Sequence, residues 1–413
     1  MSAPSIKMTS LYHYNDPLVN IANSINAFEL SAVIVKGVSD KIKRKLYTSE
    51  KTAQMCQQLG IDCAIVAMDS WGNHHIDFTT VMHELENRNI PFSVITFMGN
   101  IAPLVIKYDN VDSIVDFVKN KSGLESTIVG ENDLSTADVK KAFALLNKKL
   151  KSRNYKLNNN LTKIKSLEKL IRYSKDISEI KLGNKNQIIA DSLILNIEEL
   201  LDISYNEDIV SKVNIKIISP DQKDIFTHTK LDFFPIATKK SGILGTGETI
   251  ELNGVCGMLT AVEENTNYEP SNIGSSEGIL DQKVVFDKAG TPKDTDYIIN
   301  IEVIIKEGRA MKADGIIEAY KISDKISRKI RNLLKNIDTS RLNAKTFYNF
   351  KKDSALKLAI IKVVAGYGCM YDTFLKATEP CGIIGATNIR QMDNMPFLLT
   401  ANEVMDGVIK PLQ

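Results

Sequence analysis

A chain of 413 residues, 43% hydrophobic and 25% charged, is long enough for two or three domains with real cores, and its net charge of +2 supplies no overall field for nucleic acid or a membrane surface. Five scattered cysteines, an odd number, fit a reducing compartment better than a disulfide framework. No run approaches the ~20 apolar residues of a membrane span, and the opening Met-Ser-Ala-Pro-Ser lacks the basic and apolar regions of a secretory signal, so a cytoplasmic protein with neither membrane nor nucleic-acid partner is expected.

In chain order, Ala27 to Gly37 reads as a buried strand ending at glycine, followed by a helix from Ser49, as N-cap, to Gly60. The apolar run from Cys63 to Asp69 is a second strand. It empties into a polar turn and a helix whose Phe78, Val81, Met82 and Leu85 share one face. Phe92–Phe97 is a third strand, ending in Met98-Gly99-Asn100, and helices are expected over Val111–Lys119 and Ser135–Leu150. The alternation implies an α/β fold with a parallel-sheet N-terminal domain over residues 1–150, the Asp69 and Gly99 turns lying along one edge.

From Lys151 to Lys185 ten Lys and Arg residues face three acidic ones, which reads as a basic linker over residues 151–190. Residues 191–413 then form a mixed β-rich and α/β C-terminal region. Strands are expected at Val213–Ile218, Thr249–Leu252, Lys283–Phe286 and Tyr297–Ile305, a long helix from Arg309 to Lys335, and further strands at Ala359–Val364 and Pro396–Thr400. Gly242-Ile-Leu-Gly245-Thr-Gly247 has the wrong order for a dinucleotide loop, and β-branched residues follow where a helix would begin, so it reads as hairpin turns.

The densest polar cluster is the turn bearing Asp69, Gly72, Asn73, His74, His75 and Asp77. Open α/β sheets bind ligands at such strand-to-helix turns. Asp69, Gly72, Asn73, His75 and Asp77, with Gly99 and Asn100 on the neighbouring strand end, are the expected substrate-binding residues; no catalytic residue is singled out. The two aspartates suit an amine or ammonium, and the turn has no Lys or Arg for a phosphate, so an amino-acid-like small molecule is expected. His75 reads as a proton donor or substrate clamp, or as a hydrogen-bonded turn residue. No metal is expected, because no Cys or His pair has zinc spacing. Cys369 and Cys381, in loops, are possible thiols.

Several segments resemble the D-proline reductase and glycine (sarcosine, betaine) reductase component B family of anaerobic, Stickland-type amino-acid fermentation. Gly60-Ile-Asp-Cys-Ala-Ile-Val66 and Gly72-Asn-His-His-Ile-Asp-Phe78 are similar to the family's small, pyruvoyl-bearing portion. Phe234-Pro235, the Gly242–Gly257 glycines, Asp372-Thr373 and Glu403-Val-Met-Asp-Gly407 are similar to its large portion, so the two portions stand here in swapped order. The resemblance implies an oxidoreductase component that cleaves a carbon–nitrogen bond reductively, in an oligomeric complex with a selenoprotein or thiol reductase subunit. In the family a cysteine after the Glu-Val-Met-Asp-Gly-like segment is converted to the pyruvoyl group. Val-Ile-Lys-Pro-Leu-Gln follows Gly407 here, and Asp69 stands where the family tends to carry glutamate. No pyruvoyl cofactor is therefore expected, and a non-catalytic paralogue that assembles with or regulates such a reductase is the alternative.

Overall fold

Two apolar runs far apart in the chain, Ala32-Val-Ile-Val35 and Ala359-Ile-Ile361, become neighbouring strands. The computed structural model describes residues 9–39, 41–68, 75–98, 104–109, 111–123, 127–157, 164–265, 276–310, 312–364, 383–384, 396–406 and 410–411. Helices α1 (Ser10–Tyr14) and α2 (Pro17–Ser24) precede β1 (Phe28–Gly37), α3 (Ile42–Gln58), β2 (Cys63–Met68), α4 (His75–Glu86), β3 (Phe92–Thr96), β4 (Ile114–Asp116) and α5 (Thr136–Ser152). The strand Leu356–Val364 inserts between β1 and β2, parallel to both, and Phe397–Leu399 lies antiparallel on the outer side of β1.

This first sheet is covered on both faces, which is why its strands are nearly continuous apolar runs. Ile34, Val66 and Ile361 pack on α3 and α4 through Ala53, Phe78, Val81 and Leu85. Val33, Ile65 and Ile360 pack on α2 and α5 through Leu18, Val139, Phe143 and Leu146. The α/β character expected from the sequence is present. The sheet does not stop at residue 150, however, because one of its inner strands comes from residues 356–364.

The second six-stranded sheet runs in the order Asn343–Lys352, β5 (Ile164–Asp176), Gly247–Glu263, Tyr297–Ile305, Val210–Ile218, with Thr229–Ser241 also paired to Gly247–Glu263. Helix Ala313–Leu334 buries Ile316, Ala319, Tyr320 and Ile330 against it. The glycines between Ser241 and Glu248 do form a hairpin turn: Gly242, Gly245 and Gly247 all have positive φ. Gly254 and Gly257 lie instead inside the long strand.

Several local expectations are corrected. Residues 164–176 of the expected linker form β5, paired on both sides; the density of lysine obscured its strand pattern. Val111–Lys119 contains the short strand β4 rather than a helix, since its β-branched residues pair with β3. Ser49 is no N-cap: α3 starts at Ile42, and Ser49 Oγ donates to the Lys45 carbonyl (2.7 Å) from the helix interior. Lys283 ends a short helix, and Val284 makes only an isolated bridge to Val129.

The long strand changes partner at one residue. It pairs with β5 as far as Asn253 and with Tyr297–Ile305 from Val255 onward. Gly254 between them has φ +88°, and a Cβ there would lie 2.3 Å from the Ile177 carbonyl oxygen. Gly254→Ala combines a left-handed conformation with a backbone clash and is expected to lose at least about 2 kcal/mol in denaturant unfolding. A loss below about 0.5 kcal/mol would contradict it.

Lys230, on Thr229–Ser241, is fully buried and donates from Nζ to the Ser276 carbonyl (2.5 Å). Burial, reinforced by Lys283 and opposed by Glu277, pushes its pKa down to about 7. Between about pH 7 and pH 10 the folded state therefore holds fewer protons than the unfolded chain, and this group makes stability rise with pH, by up to about 1.4 kcal/mol per unit. Lys230→Met is expected to flatten the curve in that window; parallel curves for the two proteins would contradict this.

Candidate functional site

The strands β1, Leu356–Val364, β2, β3 and β4 are parallel, so their carboxyl ends share one edge. Two lysines interrupt the apolar strands there. Lys362 lies level with Val35, and Lys36 with Val363, so the lysines stand on adjacent strands and point to opposite faces. Both are buried, and each meets a buried aspartate.

On one face, α4 begins where the chain re-enters from the β2 turn. Asp77, in its first turn, is fully buried and receives Lys36 Nζ and, at 2.6 Å, Lys45 Nζ from α3. His75, two residues earlier, faces a different way round the helix and brings Nε2 to 3.3 Å from Thr96 Oγ1 at the end of β3. Thr79 Oγ1 bonds back to the His75 carbonyl (2.8 Å) and steadies this first turn.

On the other face, Asp16 caps α2: Oδ1 accepts the backbone N–H groups of Leu18 (2.8 Å) and Val19 (3.1 Å). Its Oδ2 receives Lys362 Nζ, which also lies 3.3 Å from His13 Nδ1 on α1 and 5.9 Å from the Tyr12 ring centre. Burial, with Lys362 adding to it, holds the His13 imidazole well below its ordinary pKa, so the ring is neutral. His13 Nε2 is buried and has no hydrogen-bond partner among the described residues.

Helix α1 also ties the first sheet to the second. Ser10 donates twice to Asp232 (backbone N–H 2.8 Å, Oγ 2.6 Å), and Tyr14 bonds to Glu251. The Arg172 guanidinium lies 3.4 Å from the Tyr14 ring centre and donates to the carbonyls of Tyr14 (3.3 Å) and Met405 (3.1 Å). Met405 ends the helix Ala401–Met405, and Asp406 after it is clamped by Gly245 N–H (2.7 Å), Lys239 Nζ (2.5 Å) and Thr249 Oγ1. The Glu403–Asp406 segment and α1 thus converge on one guanidinium.

Of the residues expected at the site, His75 and Asp77 are placed at this edge; Asp69, Gly72, Asn73, Gly99, Asn100, Cys369 and Cys381 lie outside the described residues. Asp77 is not poised for a ligand ammonium, because two lysines already hold it. The turn itself has no lysine, yet Lys36 and Lys45 reach the site from β1 and α3. His83 stacks on Tyr108, 4.3 Å between ring centres. Burial pushes the Cys56 thiol up to about 12 and raises Cys63 too, as suits packed rather than reactive thiols. Lys36, Lys45, Lys362, His13, Asp16 and Thr96 were missed. Lys36 and Lys362 had a usable signal: each follows an apolar run, Ala32–Val35 or Leu358–Ile361, one or two residues before its strand ends.

Residues 1–115, which supply β1 to β4 and so most of this edge, match the family described as glycine/sarcosine/betaine reductase component B subunits. The chain is also 30% identical over 238 residues to the D-proline reductase proprotein PrdA of Acetoanaerobium sticklandii, an alignment covering 57% of this chain and 38% of that protein. The chain thus spans less than half the length of that curated relative. No solved structure matches.

Proposed function

We propose that this chain, which matches the glycine/sarcosine/betaine reductase component B family through residues 1–115, is the component of a D-proline or glycine reductase-like complex that presents an amino-acid-like substrate at the carboxyl edge of its first sheet. The supporting observation is that the family-matched segment builds most of this edge, where its buried Lys36 and, on the inserted strand Leu356–Val364, buried Lys362 stand on opposite faces. The overall step is reductive cleavage of the substrate's carbon–nitrogen bond. Two electrons and two protons come from a dithiol or selenoprotein subunit, which is left oxidised, while the bond's carbon and nitrogen each gain a hydrogen. The reading includes no pyruvoyl group, and it includes the swapped order of the family's two portions. The convergence of Met405 and α1 on Arg172 supports that order, because it joins the end of the large-portion segment to the start of the small-portion segment.

Hydrogen exchange with glycine, sarcosine, betaine and D-proline in turn tests this reading. At least one is expected to slow exchange at residues 36–39, 75–79 and 96–98. Absence of binding by all four, or protection confined to the second sheet, would overturn it.

A further inference from the structure

Resting on that reading, we infer that His13 Nε2–H is the hydrogen-bond donor for the substrate's carboxylate, so that the acid end of the ligand, not its nitrogen, faces α1. The tautomer follows from geometry. Lys362 Nζ, 3.3 Å from Nδ1, has only N–H groups to offer, so Nδ1 accepts and the single ring proton sits on Nε2. The ring is neutral, held so by burial and by the same ammonium. Nε2–H is therefore a donor, buried and without a partner among the described residues.

A buried donor left without an acceptor is destabilising, and an arriving acceptor relieves that cost. A protonated ammonium has no lone pair to accept with and would meet N–H with N–H; a carboxylate oxygen fits. The ammonium bonded to Nδ1 polarises the imidazole and makes Nε2–H a stronger donor toward an anion. Asp16, the other charged group on Lys362, is occupied by that ammonium and by two backbone N–H groups, and Tyr12 presents its ring to Lys362. His13 is within the segment matched to the reductase family and lies at the ligand-binding edge of a parallel sheet.

The chemistry shared by glycine, sarcosine, betaine and proline is the carboxylate; they differ at nitrogen. Long-range proton–nitrogen spectra of the full chain, with His13→Gln to assign the signal, test the inference. Acetate, glycine and betaine should each shift the His13 Nε2–H resonance, while tetramethylammonium and glycine amide should not. His13→Phe should weaken glycine binding at least tenfold, and His13→Gln, which keeps an N–H donor, less than threefold. If glycine or betaine binds at the sheet edge while the His13 resonance stays fixed, the inference is overturned and the functional reading stands. If none of acetate, glycine, sarcosine, betaine and D-proline binds the wild-type chain, both are overturned.

Discussion

Asp77→Ala is expected to lower the free energy of unfolding by about 3–5 kcal/mol, because it removes the buried carboxylate that both the Lys36 and the Lys45 ammonium groups meet. Asp77 has no solvent contact, and Lys36 and Lys45 are almost as deeply enclosed. Neither lysine can reach water without moving β1 or α3. The loss should be largely reversed in the triple variant Asp77→Leu, Lys36→Met, Lys45→Met, which replaces the charges with apolar volume. Guanidinium unfolding followed by circular dichroism measures both. A loss below about 1 kcal/mol for Asp77→Ala would mean that the lysines find other partners.

Arg172→Ala is expected to cost a similar amount, about 3–5 kcal/mol, and Arg172→Lys should recover little of it. The buried guanidinium uses its plane and its fork together. It stacks on Tyr14 and lies 5.1 Å from the Phe347 ring centre, while its nitrogens serve two carbonyls and, at 3.3 Å, Glu251. A lysine ammonium keeps the charge but neither the stack nor the simultaneous bonds. Hydrogen exchange should locate the damage at α1 and Ala401–Met405, the segments that Arg172 holds together. Unchanged protection in both would contradict this role.

The first sheet's strands and most of its helices were legible because a doubly covered parallel strand writes itself as an apolar run. The runs at Ala32–Val35, Ala64–Ala67 and Ala359–Ile361 needed nothing else. Their neighbourhood was not legible: periodicity does not show that Leu356–Val364 lies between β1 and β2 across nearly three hundred residues of chain. β5 was hidden for a different reason. Its lysines resemble a solvated linker, and the strand state comes from partners on both sides, which is tertiary context. At the site, the turn histidine and Asp77 stood out by composition, whereas their partners could not. Lys45 is one of many helix lysines, and Asp16 and His13 lie in a segment of short helices with no repeating pattern. Lys36 and Lys362 were readable as charges inside apolar strands.

We have proposed that this chain is a working part of a reductase complex. The most direct test is purification of the assembly through this chain from its own cells, followed by assay of glycine, sarcosine, betaine and D-proline with a dithiol as reductant. At least one substrate is expected to lose its carbon–nitrogen bond, and removing this chain from the assembly is expected to abolish the reaction. A chain that purifies without reductase partners, or an assembly that turns over equally well without it, would contradict the claim.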